Sequence, residues 1–151
     1  MSDIQIEREW AMPNKYTFNI EPLKELVVTE LDDGLWIDPF CGQSDLADVT
    51  NDLDPDIDSD YSKKAVDFLS RFDDGEVDGG VIFDPPYSAT QLKRKYNAMD
   101  IEPKQDETNG GFFGRNKDEI ERICDIGATV VSYGWNSSGM GKSRGFTKRK
   151  I

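Results

Sequence analysis

The residues best suited to chemistry in this 151-residue chain are Asp84, Pro85, Pro86 and Tyr87, directly after the apolar run Val81-Ile82-Phe83. A carboxylate at Asp84 accepts hydrogen bonds from an amino group, and so does the carbonyl of Pro85. Tyr87 adds a flat apolar face suited to stacking on a planar base. Two acceptors and a stacking face describe a pocket for an exocyclic amine on a flat heterocycle. The same four residues also suit a stiff loop without chemistry, because consecutive prolines hold the backbone extended.

These residues need an element to carry them. Val81 to Phe83 shows no polar alternation, as expected of a strand buried on both faces of a parallel sheet. Pro85 and Pro86 end its hydrogen-bond ladder, which leaves a rigid turn past the carboxyl end of a central strand. Ligands of open α/β sheets bind at such ends.

A second loop, Asp38-Pro39-Phe40-Cys41-Gly42-Gln43-Ser44, follows a strand that runs from Gly34 to Ile37 and finishes at Asp38, 46 residues before Asp84. An acid, a turn and Gly42 let a small ligand approach the backbone closely. Asp52 follows a short strand at 47–50, a position from which an acid bonds ribose hydroxyls. The neighbouring Asp54, Asp56, Asp58 and Asp60 read equally well as a solvated turn. Roughly eight residues separate these two strands, fewer than a parallel crossover usually needs, so its helix is a single turn or absent.

The rest of the pattern alternates. A helix opens at Glu21-Pro22-Leu23, carries Leu23, Leu26, Val27 and Leu31 on one face, and stops at Asp32-Asp33-Gly34. Residues 62–72 form a second helix and 91–99 a third, bearing Lys93, Arg94 and Lys95. A polar loop over 100–115 contains Phe112, Phe113 and Arg115. A fourth helix starts at Asn116 as cap, with Glu119 reaching back. A buried strand covers 128–133. This alternation predicts one α/β layered domain over residues 1–151.

The net charge of −12 is unevenly spread: residues 1–87 hold 22 acids and 6 bases, and residues 88–151 hold 8 acids and 12 bases. Basic charge interleaved with aromatics in the second half suits phosphate contacts and unstacked bases, or simply a solvated helix and loop. The absence of histidine excludes histidine catalysis, and two cysteines cannot complete a Cys/His zinc site, so no metal is expected. The N-terminus has no signal segment and no run of about 18 apolar residues exists, so a cytoplasmic chain with reduced thiols and no membrane partner is expected. Gly141-Lys142-Ser143 ends like a phosphate-binding loop, but Asn136 stands where that loop needs glycine.

Asp84-Pro85-Pro86-Tyr87 resembles the D-P-P-Y motif of amino-group methyltransferases, above all the DNA adenine N6 family in its small phage-type form. Asp38-Pro39-Phe40-Cys41-Gly42 resembles that family's D-P-F-C-G-S-G cofactor loop, with Ser44 replacing the second glycine. Asp52-Leu53-Asp54-Pro55 resembles its ribose-binding turn, and Lys64 occupies the place where the family often has an acid for the cofactor's adenine. Residues 132–137 resemble its late strand and loop, where Trp135 walls the base pocket or lies in the core.

The resemblance spans roughly residues 35–90 and 128–142. It implies a Rossmann-like methyltransferase sheet with helices on both faces, reduced or truncated at the C-terminal end. The cofactor would be S-adenosyl-L-methionine, held by Asp38, Pro39, Phe40, Gly42 and Asp52, and the catalytic turn Asp84, Pro85, Pro86 and Tyr87. Duplex DNA with a flipped adenine would be the substrate, contacted by Lys93, Arg94, Lys95 and Arg115. Only 41 residues lie between the two loops, so target recognition, as in restriction-modification, would fall to a partner subunit. RNA or protein amino-group methyltransferases of the same fold, and a module that binds without catalysing, are the alternatives.

Overall fold

The computed structural model describes residues 4–12, 16–86, 89–102, 111–134, 137–141 and 143–151. Four short strands make one all-parallel sheet in the order β2-β1-β3-β4. They are β1 (Trp36–Asp38), β2 (Val49–Thr50), β3 (Gly80–Phe83) and β4 (Thr129–Ser132). Ile37 pairs with Val49 on one side and Val81 on the other, while β3 and β4 stay in register from Gly80↔Thr129 to Phe83↔Ser132. The chain is α/β, as the alternation predicts.

Period-2 side-chain alternation gives the sheet two apolar faces. Ile37, Val81 and Phe83 pack with Phe68 and Leu69 of α2 (Ala65–Leu69) and with Ile120 and Ile123 of the long helix Gly111–Ile123. Trp36, Ile82 and Val131 pack on the opposite side with Val27 of α1 (Glu21–Glu30). Helices therefore cover both faces, and each fully buried aliphatic or aromatic side chain contributes about 1.5–3 kcal/mol. A smaller cluster of Leu92, Tyr96 and Phe112 sits over Phe40 and Leu53, with Leu92 and Tyr96 from α3 (Ala89–Ala98). Gly111–Ile123 is α4. No described helix is long and apolar enough to cross a membrane.

Gly80 lets β1, β3 and β4 approach. A Cβ there would lie 2.7 Å from Trp36 Cη2 and would collide with the Thr129 carbonyl. Trp36 is itself fixed, because its indole N–H donates to Asp32 Oδ1 at 2.9 Å.

The predicted absence of a helix between β1 and β2 holds: residues 39–48 pass between the strands without one. The predicted helix at 62–72 contracts to Ala65–Leu69, and the strand at 47–50 to Val49–Thr50. Asp48 serves instead to accept the Trp36 N–H at 2.9 Å. The loop expected through residue 115 and the cap at Asn116 are wrong. Helix α4 begins at Gly111, and Asn116 lies buried inside it, its Nδ2 donating to the Phe112 carbonyl at 2.8 Å. Phe112, Asn116, Ile120 and Ile123 share the buried stripe, so tertiary burial outweighs the helix cost of Gly111 and Gly114.

The basic C-terminal stretch is largely used internally. Arg144 bonds Asp118 at 2.7 Å, Arg149 bonds Glu30 at 2.8 Å, and Lys150 bonds Glu7 at 3.1 Å. Backbone bonds between Gln5 and both Arg149 and Ile151 tie the two ends of the chain together. The excess of bases after residue 88 is therefore a poor guide to a binding edge.

Candidate functional site

Strand order reverses beside β1, since β2 lies on one side of it and β3 on the other. The crevice at the carboxyl ends of β1 and β3 is thus the topological switch point, the favoured ligand site of open α/β sheets. Asp38 is the last residue of β1, and Asp84 follows the last residue of β3. Because Ile37 pairs with Val81, Asp38 is level with Ile82, and Asp84 lies two residues further along on the same side. Strand spacing and rise put their α-carbons about 8 Å apart. Two loops 46 residues apart in sequence therefore open into one crevice.

Asp38 is fully buried. Its Oδ1 accepts the Phe40 N–H at 3.0 Å, while Oδ2 is enclosed with no hydrogen-bond partner. Burial pushes this carboxyl well above the usual carboxylate range; the Phe40 bond opposes that, and the nearby charges of Asp84 and Asp52 reinforce it. An enclosed oxygen without a partner is a buried polar atom that a polar ligand group can satisfy. Asp84 is half-buried, and Pro85 and Pro86 are buried behind it. Tyr87 and Trp135 lie outside the described residues.

The loop after β1 turns at Gly42, where φ is +53° and the space a side chain would fill is open. Its N–H donates to Asp52 Oδ2 at 2.9 Å, and Asp52 Oδ1 accepts the Asp54 N–H at 2.9 Å. The acid expected to bind ribose thus also ties the glycine loop to β2. Cys41 beside it is buried, and desolvation followed by the charges of Asp38 and Asp52 pushes its thiol up to about 12. It stays protonated near neutrality and is no thiolate nucleophile.

Asn51 was not singled out from the sequence, yet it holds this region together. It is fully buried. Nδ2 donates to the carbonyls of Pro39 (3.0 Å) and Lys63 (2.9 Å), and Oδ1 accepts the Lys63 N–H at 3.0 Å. Its backbone adds bonds to Asp38 and Cys41. One side chain thereby fixes the cofactor-like loop, the end of β2 and the approach to α2. An Asn between Thr50 and Asp52 reads as an ordinary turn residue, so only its neighbour Asp52 hinted at the site.

Pro39, Phe40, Asp52 and Pro86 line a cleft whose far wall is Leu92 and Tyr96 of α3. Its water-accessible volume is about 20 Å³, room for about one water. Phe40 packs on Phe83 and Phe112 at ring separations of 5.9 Å, so the cleft is shut by apolar contact. Admitting a nucleoside requires α3 to move off Phe40 and Leu53. Asp38, Gly42, Asp84 and Pro85 are not among the lining residues, so the cleft adjoins the two carboxylates through Pro39 and Pro86.

The nucleic-acid candidates separate. Lys93, Arg94 and Lys95 are exposed on α3, and Lys95 reaches the cleft. Arg115 is half-buried in α4 with its Nη2 enclosed, a poor position for reading phosphates. Lys63 and Lys64 line the cleft instead. Among the described residues no group of three or more His, Cys, Asp or Glu is arranged to hold a metal ion. Searches against protein-family models, curated proteins and solved structures found no match to this chain.

Proposed function

We propose that the chain is a methyltransferase that moves a methyl group from S-adenosyl-L-methionine to the N6 amino group of adenine in DNA, on a reduced Rossmann-like sheet. One observation carries the reading: the Asp38-Pro39-Phe40-Cys41-Gly42 loop and the Asp84-Pro85-Pro86 turn converge at the switch point of a parallel sheet. The donor set suits the cofactor. A sulfonium and an ammonium are cationic, and Asp52 and Asp84 lie close enough to Asp38 for their charges to act on it, while the enclosed Asp38 Oδ2 offers a polar atom to a ligand group. The open space at Gly42 lets the backbone approach a ligand.

When bound, the cofactor supplies an electrophilic methyl carbon whose bond to sulfur breaks with the electron pair leaving on sulfur. The protein positions the acceptor. Asp84 and the Pro85 carbonyl accept the two amino hydrogens of a flipped adenine, which aims the nitrogen lone pair at the methyl carbon. Tyr87 stacks on the ring. The amine proton is lost after the new N–C bond forms, so alignment rather than a strong base supplies most of the acceleration.

The shut cleft favours a second reading, a module of the same fold that binds nucleic acid without catalysing. Calorimetry with S-adenosyl-L-methionine separates the two. Saturable binding that weakens at least tenfold in Asp38→Ala supports the enzyme; no binding at millimolar cofactor rejects it.

A further inference from the structure

The first 87 residues contain 22 acids and only 6 bases, yet two of those bases, Lys63 and Lys64, line one cleft. Lys95 of α3 reaches the same cleft from the opposite wall, and Lys93 and Arg94 are exposed beside it. In a chain of net charge −12, a local ring of cations marks a place where an anion is favoured against the overall field.

The ring is held in place. Asn51 bonds both the N–H and the carbonyl of Lys63, at 3.0 and 2.9 Å, which fixes the backbone that presents the pair. The Lys64 ammonium lies 5.2 Å from the centre of the Tyr96 ring, so it spans from the start of α2 to α3. Asp52 in the same cleft offsets one of these cations, its two oxygens held by the N–H groups of Gly42 and Asp54, and the three lysines remain in excess. Pro86, which follows the candidate base-binding residues, lines this cleft too.

We propose that Lys63, Lys64 and Lys95 form a phosphate collar over which a DNA strand runs, placing a nucleotide of that strand at the Asp84-Pro85-Pro86 turn. The proposal rests on the DNA reading above. It assigns the backbone contacts to the seam between α2 and α3, and removes Arg115 and the C-terminal bases from that role. An ammonium on each side of the cleft grips phosphates without reading sequence.

The test is the salt dependence of binding to a fluorescein-labelled duplex DNA, followed by anisotropy between about 50 and 200 mM salt. Replacing all three lysines by glutamine should reduce the slope of log affinity against log salt by roughly three, about one per lost contact. The Lys→Arg triple variant should restore the slope, which separates lost charge from lost folding. Lys24→Gln with Lys148→Gln should leave it unchanged. An unaltered slope in the glutamine variant overturns the collar, as does wild-type binding to duplex RNA but not to DNA. Calorimetry with S-adenosyl-L-methionine distinguishes the other failure. A glutamine variant that loses the cofactor and keeps its DNA slope would assign the lysines to the cofactor and overturn the collar. A reduced slope in a protein that transfers no methyl group would retain the collar and reject the enzyme.

Discussion

Replacing Asn51 by alanine should be among the most damaging single changes near the site, although Asn51 touches no candidate reacting atom. The side chain makes three hydrogen bonds and is fully buried. Its bond to the Pro39 carbonyl is buried, and stranding that acceptor costs about 1–3 kcal/mol. The two bonds to Lys63 are partly buried, so water can replace them in part, at about 0.5–1.5 kcal/mol each. The total is about 2–6 kcal/mol, a large share of the 5–15 kcal/mol typical of a domain. Urea unfolding followed by circular dichroism measures it as a fall in the midpoint at constant slope. Asn51→Asp keeps the acceptor for Lys63 N–H but points a carboxylate at two carbonyls, so it should cost at least as much as alanine. A loss below about 1 kcal/mol in Asn51→Ala would refute the claim that this side chain ties the loop after β1 to the end of β2 and the approach to α2.

Three further outcomes follow from the same geometry. Gly80→Ala should destabilise by about 3 kcal/mol or more, read from the thermal midpoint, because the added methyl meets Trp36 and the Thr129 carbonyl, neither able to yield; a midpoint within a few degrees of wild type would mean that β3 and β4 are not packed this way. Asp38→Asn should stabilise the protein relative to wild type, and increasingly so as pH rises above 3.8, where the unfolded carboxyl ionises while the folded one stays protonated; a stability difference independent of pH would show that the carboxyl is not held in its neutral form. Cys41 and Cys124, both pushed up to about 12 by burial, should react with iodoacetamide at pH 7 at least about a hundredfold more slowly in the folded than in the urea-unfolded chain; equal rates would contradict their enclosure.

The strands were legible because a strand buried on both faces reads as unbroken apolar sequence, and Val81 to Phe83 and Ala128 to Tyr133 do so. The short connection from Asp38 to the second strand also announced its missing helix. Asn116 misled because Asn followed three residues later by Glu119 mimics a helix start, while the deciding contact, the burial of Phe112 against Phe40 and Leu92, lies between distant segments. The two acidic loops could be marked as chemically able from residue types alone. Their convergence depends on strand order, which no local pattern encodes. Two loop acids proved to be backbone partners: Asp60 accepts the Thr50 N–H at 2.9 Å and Asp78 the Leu35 N–H at 2.7 Å. Charge counting failed for the same reason, since it could not see that Arg144, Arg149 and Lys150 are paired within the fold. Lys63 and Lys64 were invisible as a pair facing Lys95 until α3 was placed against α2.

The central claim is that the crevice between β1 and β3 transfers a methyl group to adenine. Incubating the protein with S-adenosyl-L-methionine labelled in its methyl group and with duplex DNA, then digesting to nucleosides, tests it most directly. The account predicts label on the N6 of deoxyadenosine and a loss of about a hundredfold or more in Asp84→Ala, whose carboxylate aligns the amine, with the circular dichroism spectrum unchanged. No label on DNA, or transfer by Asp84→Ala at the wild-type rate, would contradict it.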